Sequence, residues 1–167
     1  APPAAPAASS VASSPSAAST TELVRIVDHP PPASTRPEAV AAFASGLAAA
    51  RDANWEGARQ RFETALELDP SMAEAAAYTA LYRAFGGATK AQVRELFDRA
   101  LTMRDGLGER DRRLLLALEP QMRDPADLAE SGRRFVALAD AYPRDAEIHC
   151  IAGSVALLLG DDAGALR

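Results

Sequence analysis

Residues 57–70 read GARQRFETALELDP, and a closely similar phrase, VRELFDRALTMRD, returns at residues 93–105. Both phrases place apolar side chains at helical spacing, so each one predicts an amphipathic helix. Phe97 follows Phe62 after 35 residues, and Phe135 follows Phe97 after 38. A helix pair of this length cannot bury its apolar face alone and must stack on neighbouring pairs. The repetition therefore predicts a series of stacked helical hairpins.

Start and stop signals divide the chain after residue 34 into eight helices with short loops. The starts are marked by the possible capping boxes Thr35-x-x-Glu38, Ser71-x-x-Glu74 and Thr89-x-x-Gln92 and by the capping residues Asn54, Asp124 and Asp145. The stops are Asp52, Asp69-Pro70, Gly86-Gly87, Asp105-Gly106, Glu119-Pro120, Pro143 and Gly160. An eighth helix is expected from Asp161 or Asp162. No convincing strand interrupts this part of the chain, so the predicted fold class is all-α.

Composition excludes several classes of function. The net charge of −5 comes without a basic stripe, so we expect no nucleic-acid partner. The single cysteine excludes an internal disulfide and any site with several cysteine ligands. No apolar stretch approaches the roughly 18 residues that a membrane-spanning helix needs, so we expect no membrane insertion by this segment.

The first 33 residues differ in composition from the rest. Residues 1–21 are rich in Pro, Ala and Ser and carry no charge, which predicts a disordered linker. ELVRIVD at residues 22–28 alternates well enough to form a short extended segment, and the prolines at 30–32 end it. We expect this segment to be a tether or to dock on the edge of the domain. The helical repeat domain is expected at residues 34–167.

The first repeat resembles the tetratricopeptide (TPR) family. The matching positions are Gly46, Ala58, Phe62, Ala65 and Pro70, which follow the family pattern of a small residue, A-x3-F, alanine and a terminal proline. Trp55 also lies where such repeats usually carry an aromatic residue. The resemblance implies a right-handed α-solenoid of about four repeats, at residues 37–70, 71–106, 107–143 and 144–167. The second and third repeats depart from the pattern. We expect the fourth to be incomplete at Arg167, which would leave a repeat face open to self-association.

A finer resemblance concerns residues 101–120, LTMRDGLGERDRRLLLALEP. This stretch is similar to the TPR regions of large bacterial proteins, many of them serine/threonine kinases with a Pro/Ala/Ser-rich linker before the repeats. No kinase motif is present in this chain. The resemblance therefore concerns a parent protein, in which the segment would have a regulatory or ligand-sensing role. It is expected in the cytoplasm or, downstream of a membrane helix, outside it.

Residues with chemical potential have simpler interpretations. His149 and Cys150 point about 100° apart on a helix, so they cannot face one metal ion. Residues 86–90, GGATK, lack the spacing of a phosphate-binding loop and fit a turn between helices. Arg110 belongs to a short basic cluster with two neighbouring arginines, which is typical of a solvated helix face. We therefore expect no catalytic residue, no metal and no cofactor.

The resemblance places the binding surface on the first helix of each pair, which lines the concave face of a TPR stack. The implied groove residues are Val40, Phe43, Leu47, Arg51, Ala77, Leu81, Phe85, Cys150, Ser154 and Leu157. Members that hold acidic chaperone tails carry Lys and Asn where this chain has Phe43 and Leu47, so an apolar peptide or protein segment is the better match. The expected function is a non-catalytic protein–protein interaction scaffold. The alternative is that these side chains pack beneath the N-terminal tether or against further repeats.

Overall fold

The computed structural model describes residues 29–160. The described residues form seven α-helices joined by short connections, with a single 3-10 turn at Arg104–Gly106. The helices are α1 (Pro37–Arg51), α2 (Trp55–Leu68), α3 (Ala73–Phe85), α4 (Lys90–Thr102), α5 (Glu109–Met122), α6 (Leu128–Ala141) and α7 (Ala146–Leu158). No strand occurs between residues 29 and 160, so the described chain is all-α, as the sequence predicts.

Each helix packs mainly on its neighbours along the chain. The pairs α1–α2, α3–α4 and α5–α6 form hairpins, α3 also packs on α2, and α7 packs on α6. The contact between α4 and α5 is smaller, and α3 also touches α5. The segment 22–28 and the expected eighth helix lie outside the described residues. Within them, no helix is both long and apolar enough to cross a membrane.

Three of the helix starts predicted from local sequence are confirmed by side-chain caps. Asn54 accepts a hydrogen bond from the backbone N–H of Gly57 at the start of α2. Thr89 and Gln92 form a complete capping box at α4. Asp145 accepts hydrogen bonds from two backbone N–H groups in the first turn of α7.

Two predicted capping boxes are absent. α1 begins after Arg36 without a side-chain cap and has Pro37 in its first turn, so Thr35 and Glu38 do not form the expected pair. α3 begins after Met72, again without a side-chain cap. The hydroxyl and backbone N–H of Ser71 donate instead to the Asp69 carboxylate, at 2.6 and 3.0 Å, which removes Ser71 from the helix start.

The connection between α5 and α6 also differs from the prediction. α5 continues through Pro120 to Met122, although a proline inside a helix removes one backbone donor. The Leu116 carbonyl, which loses that donor, accepts a hydrogen bond of 2.9 Å from the Arg134 guanidinium of α6. α6 begins at Leu128 and not near Asp124, because Asp127 supplies the cap through a 2.7 Å bond from the Glu130 N–H.

The core between α1, α2 and α3 is aromatic. Phe62 is fully buried, and the centre of its ring lies 5.2 Å from Phe43, 5.0 Å from Tyr78 and 4.9 Å from Tyr82. Gly46 of α1 faces the same ring, and a Cβ at this position would lie 2.5 Å from it. The close approach of α1 and α2 therefore depends on glycine at position 46.

Candidate functional site

An apolar groove with a volume of about 530 Å³ opens between the start of α2, the end of α3 and the second half of α7. Its lining residues are Trp55, Glu56, Arg59, Tyr82, Phe85, Gly86, Ile151, Ser154, Leu157 and Leu158. Three large apolar side chains in it are open to solvent: Trp55 is 44% exposed, Leu157 60% and Leu158 74%. Clustered exposed side chains of this kind are typical of binding surfaces.

Local sequence signals place the aromatic side of the groove. The Asn54 cap starts α2 at Trp55, and the Trp55 ring lies 6.0 Å from the Tyr82 ring of α3. Gly86 ends α3 by donating its backbone N–H to the Tyr82 carbonyl. Gly87 then turns the chain with a φ of +78°, a backbone conformation that glycine adopts most easily. The GGA turn thus leaves Phe85 at the edge of the groove.

A row of charged side chains forms one rim of the groove. Arg59 pairs with Glu56 one helical turn before it and with Glu63 one turn after it, the second pair at 2.6 Å. The Glu63 carboxylate also pairs with Arg83 of α3. Hydrogen bonds from Arg59 and then Gln60 lower the pKa of Glu56 to about 2. Glu56 is therefore ionised throughout the physiological pH range, and the charges of the rim are largely paired.

A cluster of ionisable side chains lies below one end of the groove, and we call it the buried ion cluster. It contains Tyr78, Arg110, Asp111, Asp145 and Glu147, contributed by α3, α5 and the start of α7. The Glu147 side chain is 1% exposed and accepts hydrogen bonds from Arg110 at 2.7 Å and from Tyr78 at 3.0 Å. Arg110 also makes two bonds of 3.0 Å to the Asp145 carboxylate. These contacts tie together helices that are distant in the sequence.

Burial and charge shift the pKa values within this cluster in opposite directions. Burial raises the pKa of Glu147 above its ordinary value, and the charge of Arg110 only partly offsets that effect. Burial also acts to raise the pKa of Asp145, but its hydrogen bonds and charge interaction with Arg110 leave that pKa lowered. Burial and the Glu147 charge raise the pKa of Tyr82, which joins the cluster to the groove. Glu147 therefore takes up a proton more easily than Asp145 does.

The first described residues lie against this cluster. The His29 Nε2 atom is 3.6 Å from a Glu147 carboxylate oxygen and 4.0 Å from one of Asp145. It is buried and has no hydrogen-bond partner among the described residues. The prolines at 30–32 then line a smaller cavity of about 250 Å³ together with α1. The chain thus crosses from the start of α7 to the face of α1 before that helix begins.

The ten residues predicted for the groove fall into four groups. Phe85, Ser154 and Leu157 line the apolar groove. Val40, Phe43 and Leu47 line the smaller cavity beside Pro30–Pro32, and the last two are buried. Ala77 and Leu81 are buried in the core. Cys150 is exposed outside both cavities, and Arg51 is exposed and paired with Asp52 at 2.7 Å.

These positions correct the expectation that Phe43, Leu47 and Leu81 present their side chains to a partner. The Phe43 ring packs on Phe62 and on Tyr78. Val40, Phe43 and Leu47 face one cavity together with the proline run at 30–32. The open apolar surface of the described helices therefore lies at the α2, α3 and α7 ends and not along α1.

The basic cluster at 110–113 also differs from its prediction. Arg110 is 14% exposed and belongs to the buried ion cluster, whereas Arg113 is 53% exposed and pairs with Glu109 on the helix surface. Sequence spacing separates these two arginines by less than one helical turn and gives no sign of which one is buried. Two of the carboxylate partners of Arg110, Asp145 and Glu147, are 35 and 37 residues away, so no local sequence pattern reveals them.

The remaining chemical candidates behave as structural groups. Burial, followed by the nearby Glu147 charge, raises the pKa of the Cys150 thiol, so it is a weaker nucleophile than an ordinary cysteine at neutral pH. The GGATK stretch forms the turn between α3 and the capped start of α4. Among residues 29–160 no group of three His, Cys, Asp or Glu side chains is placed to hold a metal ion.

The sequence interpretation did not assign seven of the ten groove residues to the site: Trp55, Glu56, Arg59, Tyr82, Gly86, Ile151 and Leu158. Trp55 has a signal in the sequence, because it lies where the repeats that this chain resembles usually carry an aromatic residue. Tyr82 lies one helical turn before the predicted residue Phe85, but no sequence pattern marks Tyr82 itself as a groove residue. Comparison with known proteins finds no family model, no curated protein and no solved structure that matches this chain.

Proposed function

We propose that this segment is a non-catalytic interaction scaffold that binds an apolar peptide or protein segment in the groove between α2, α3 and α7. One observation carries the proposal: Trp55, Leu157 and Leu158 remain exposed on the walls of a concave cavity. Aromatic and aliphatic side chains that gather in a concavity supply most of the binding energy of an interface. The paired charges of Glu56 and Arg59 form a polar rim at its edge.

The proposal includes the finer architecture that the resemblance implies. In it the seven described helices belong to a right-handed α-solenoid of TPR-like hairpins, with α1–α2, α3–α4 and α5–α6 as repeats and α7 opening the next. Two features support this reading. The hairpins pack in chain order, and Phe62, Phe97 and Phe135 are each buried at the equivalent position of the second helix. A groove on such a stack presents side chains from several repeats to one extended ligand.

A peptide selection tests the proposal. The full chain is used to select binders from a displayed library of random peptides, and binding of the recovered peptides is then measured by calorimetry. The Leu157→Asp variant introduces a charge on the groove wall, where an apolar ligand cannot pair it. We expect it to weaken binding by about tenfold or more, because buried apolar anchors dominate such interfaces.

A matched control uses an exposed apolar side chain away from the groove. Val136 of α6 is 51% exposed and does not line the groove, so Val136→Asp makes the same chemical change elsewhere. We expect the control to bind the peptides as the wild type does. Equal loss in both variants, or peptides that bind equally well to all three proteins, would contradict the proposal.

A second candidate is supported by the size of the cavity. A volume of about 530 Å³ lies within the range of roughly 300–1,000 Å³ that is usual for small-molecule sites. This supports the ligand-sensing alternative, in which the segment regulates a larger bacterial signalling protein such as a serine/threonine kinase. A screen of small apolar compounds by emission of Trp55, the one tryptophan of the chain, distinguishes the two. If small compounds bind tightly and the peptide selection yields no binders, the ligand-sensing function is favoured.

A further inference from the structure

The apolar groove lies close to His29, the first described residue, through contacts that both make with Glu147. Ile151, on the groove wall, lies one helical turn after Glu147 on α7. Tyr82, also on the wall, donates a hydrogen bond to the same Glu147 carboxylate, at 3.4 Å. His29 lies on the other side of that carboxylate, with its Nε2 atom 3.6 Å away. His29 is thus connected to the groove wall through the Glu147 carboxylate, which Tyr82 also contacts.

The residues that precede His29 have the chemistry that the groove requires. ELVRIVD at 22–28 contains Leu23, Val24, Ile26 and Val27, whereas residues 1–21 contain a single large apolar side chain, Val11. Four large aliphatic side chains in a Pro/Ala/Ser-rich stretch are not explained by a role as a linker. The walls of the groove, formed by Trp55 and the leucines of α7, match them in polarity.

The length of this segment also fits. Seven extended residues span at most about 25 Å. The part of α7 from Glu147 to Leu158 rises about 16 Å along the helix axis. A segment anchored at His29 can therefore run the whole length of the groove without leaving it. Residues further upstream, beginning at Thr21, would then emerge at its far end.

We propose that residues 22–28 of this chain occupy the apolar groove in cis and compete there with an external segment. His29 fixes the segment at the Glu147 end, and its aliphatic side chains cover Trp55. This inference rests on the proposed function, because the same surface would take either ligand. A partner would bind by displacing the chain's own segment. The partner's apparent affinity would therefore be lower, in proportion to the fraction of molecules whose groove is free.

Trp55 gives a direct measurement of occupancy, since it is the one tryptophan of the chain. The experiment compares acrylamide quenching of the full wild-type chain with a full chain in which Leu23, Val24, Ile26 and Val27 are each replaced by Ser. We expect the quenching constant of this quadruple variant to rise by about twofold and its emission to shift to the red, as indole surface is uncovered. Val11→Ser, which alters the linker alone, is expected to match the wild type.

A peptide arm tests specificity. A synthetic peptide of residues 22–29 is added to the quadruple variant and should restore the wild-type quenching constant, while a scrambled peptide should not. Equal quenching in the wild type and the quadruple variant would overturn the proposal, as would loss of helical circular dichroism in the variant. Shielding that disappears on dilution of the wild type would also overturn it, since a second copy would then supply the segment.

The experiments can contradict the cis proposal without contradicting the proposed function, and the reverse. If the quadruple variant and the wild type are quenched equally and selected peptides still bind in a Leu157-dependent manner, the groove is a binding site without a cis occupant. If selected peptides bind neither protein in that manner while the 22–29 peptide restores shielding, the groove serves only the chain's own segment. In that case the cis proposal stands and the scaffold function is overturned.

Discussion

Phe62 is the side chain on which the first three helices converge. Its ring contacts Phe43 of α1 and both Tyr78 and Tyr82 of α3, and it is fully buried. We expect Phe62→Ala to lower the free energy of unfolding by about 3–5 kcal/mol, because it leaves a cavity between tightly packed rings. Urea denaturation followed by circular dichroism measures the change.

Arg61 is the matched control for this experiment, since it lies next to Phe62 on α2 but faces solvent. Arg61→Ala should change the free energy of unfolding by no more than about 0.5 kcal/mol. Similar small effects at both positions would show that the ring does not fill the core between α1 and α3.

Glu147 gives a second residue-scale prediction, which concerns pH. Because its pKa is raised above the ordinary value of 4.5, the native protein holds a proton there after the unfolded chain has released it. The contribution of Glu147 to the free energy of unfolding therefore falls as the pH rises above about 4.5. The total fall is about 1.4 kcal/mol for each unit by which the pKa is raised. Glu147→Gln has no such proton, so its stability should lack this fall. Wild-type stability minus that of Glu147→Gln should decrease between about pH 4.5 and neutrality.

The other ionisable groups around Glu147 determine the control. They are His29, Tyr78, Tyr82, Arg110, Asp111 and Asp145. Asp145 has a lowered pKa, so its contribution is present above its ordinary value of 3.8 and is lost at lower pH, outside the window measured. Urea denaturation midpoints across that window test the prediction. A difference that stays constant or increases with pH would contradict the raised pKa of Glu147.

Residue-scale prediction from sequence succeeds where the cause is local or repeated. Phe62 is found because its spacing to Phe97 repeats, and burial of both follows from that periodicity. Arg110 is misassigned because its burial depends on Asp145 and Glu147, which approach it only after α5 and α7 have packed. The local sequence around Arg110 therefore gives no information about these distant partners.

At the scale of elements, the pair α1–α2 depends on glycine at one contact. A Cβ at Gly46 would lie 2.5 Å from the Phe62 ring, which is itself fixed by three other aromatic rings. We expect Gly46→Ala to lower the free energy of unfolding by about 1–3 kcal/mol despite the better helix propensity of alanine, because the two helices must separate. Thermal and urea denaturation measure the loss.

Ser45→Ala is the control for this prediction because it makes a small change beside Gly46 on the same helix. It should leave the free energy of unfolding within about 0.5 kcal/mol of the wild type. An unchanged or higher stability in Gly46→Ala would show that α1 and α2 are not held at the distance described.

Helix boundaries show which local signals are sufficient. The starts at Asn54, Thr89 and Asp145 follow from side chains that bond to backbone N–H groups within three residues. The end of α5 is missed because Pro120 stays helical once Arg134 of α6 satisfies the Leu116 carbonyl. Tertiary contacts thus override a stop signal that would end an isolated helix.

At the scale of the whole molecule, the sequence predicts the all-α class and the order of the hairpins but not the open surface. Groove residues were assigned from the first helix of each repeat, and three of the ten line the apolar groove. The others depend on which faces the helix stack and the N-terminal prolines cover, as Phe43 and Leu47 show. That covering is a property of tertiary packing, so helical periodicity alone does not determine it.

The central claim is that the groove between α2, α3 and α7 binds an apolar segment, and NMR titration of the full chain with a selected peptide tests it most directly. We expect the indole N–H signal of Trp55 and the methyl signals of Ile151 and Leu157 to shift together and to saturate with the peptide. Signals of Val136 on α6 should stay unchanged. Shifts centred on Val136 or elsewhere, with Trp55 unmoved at saturation, would contradict the account.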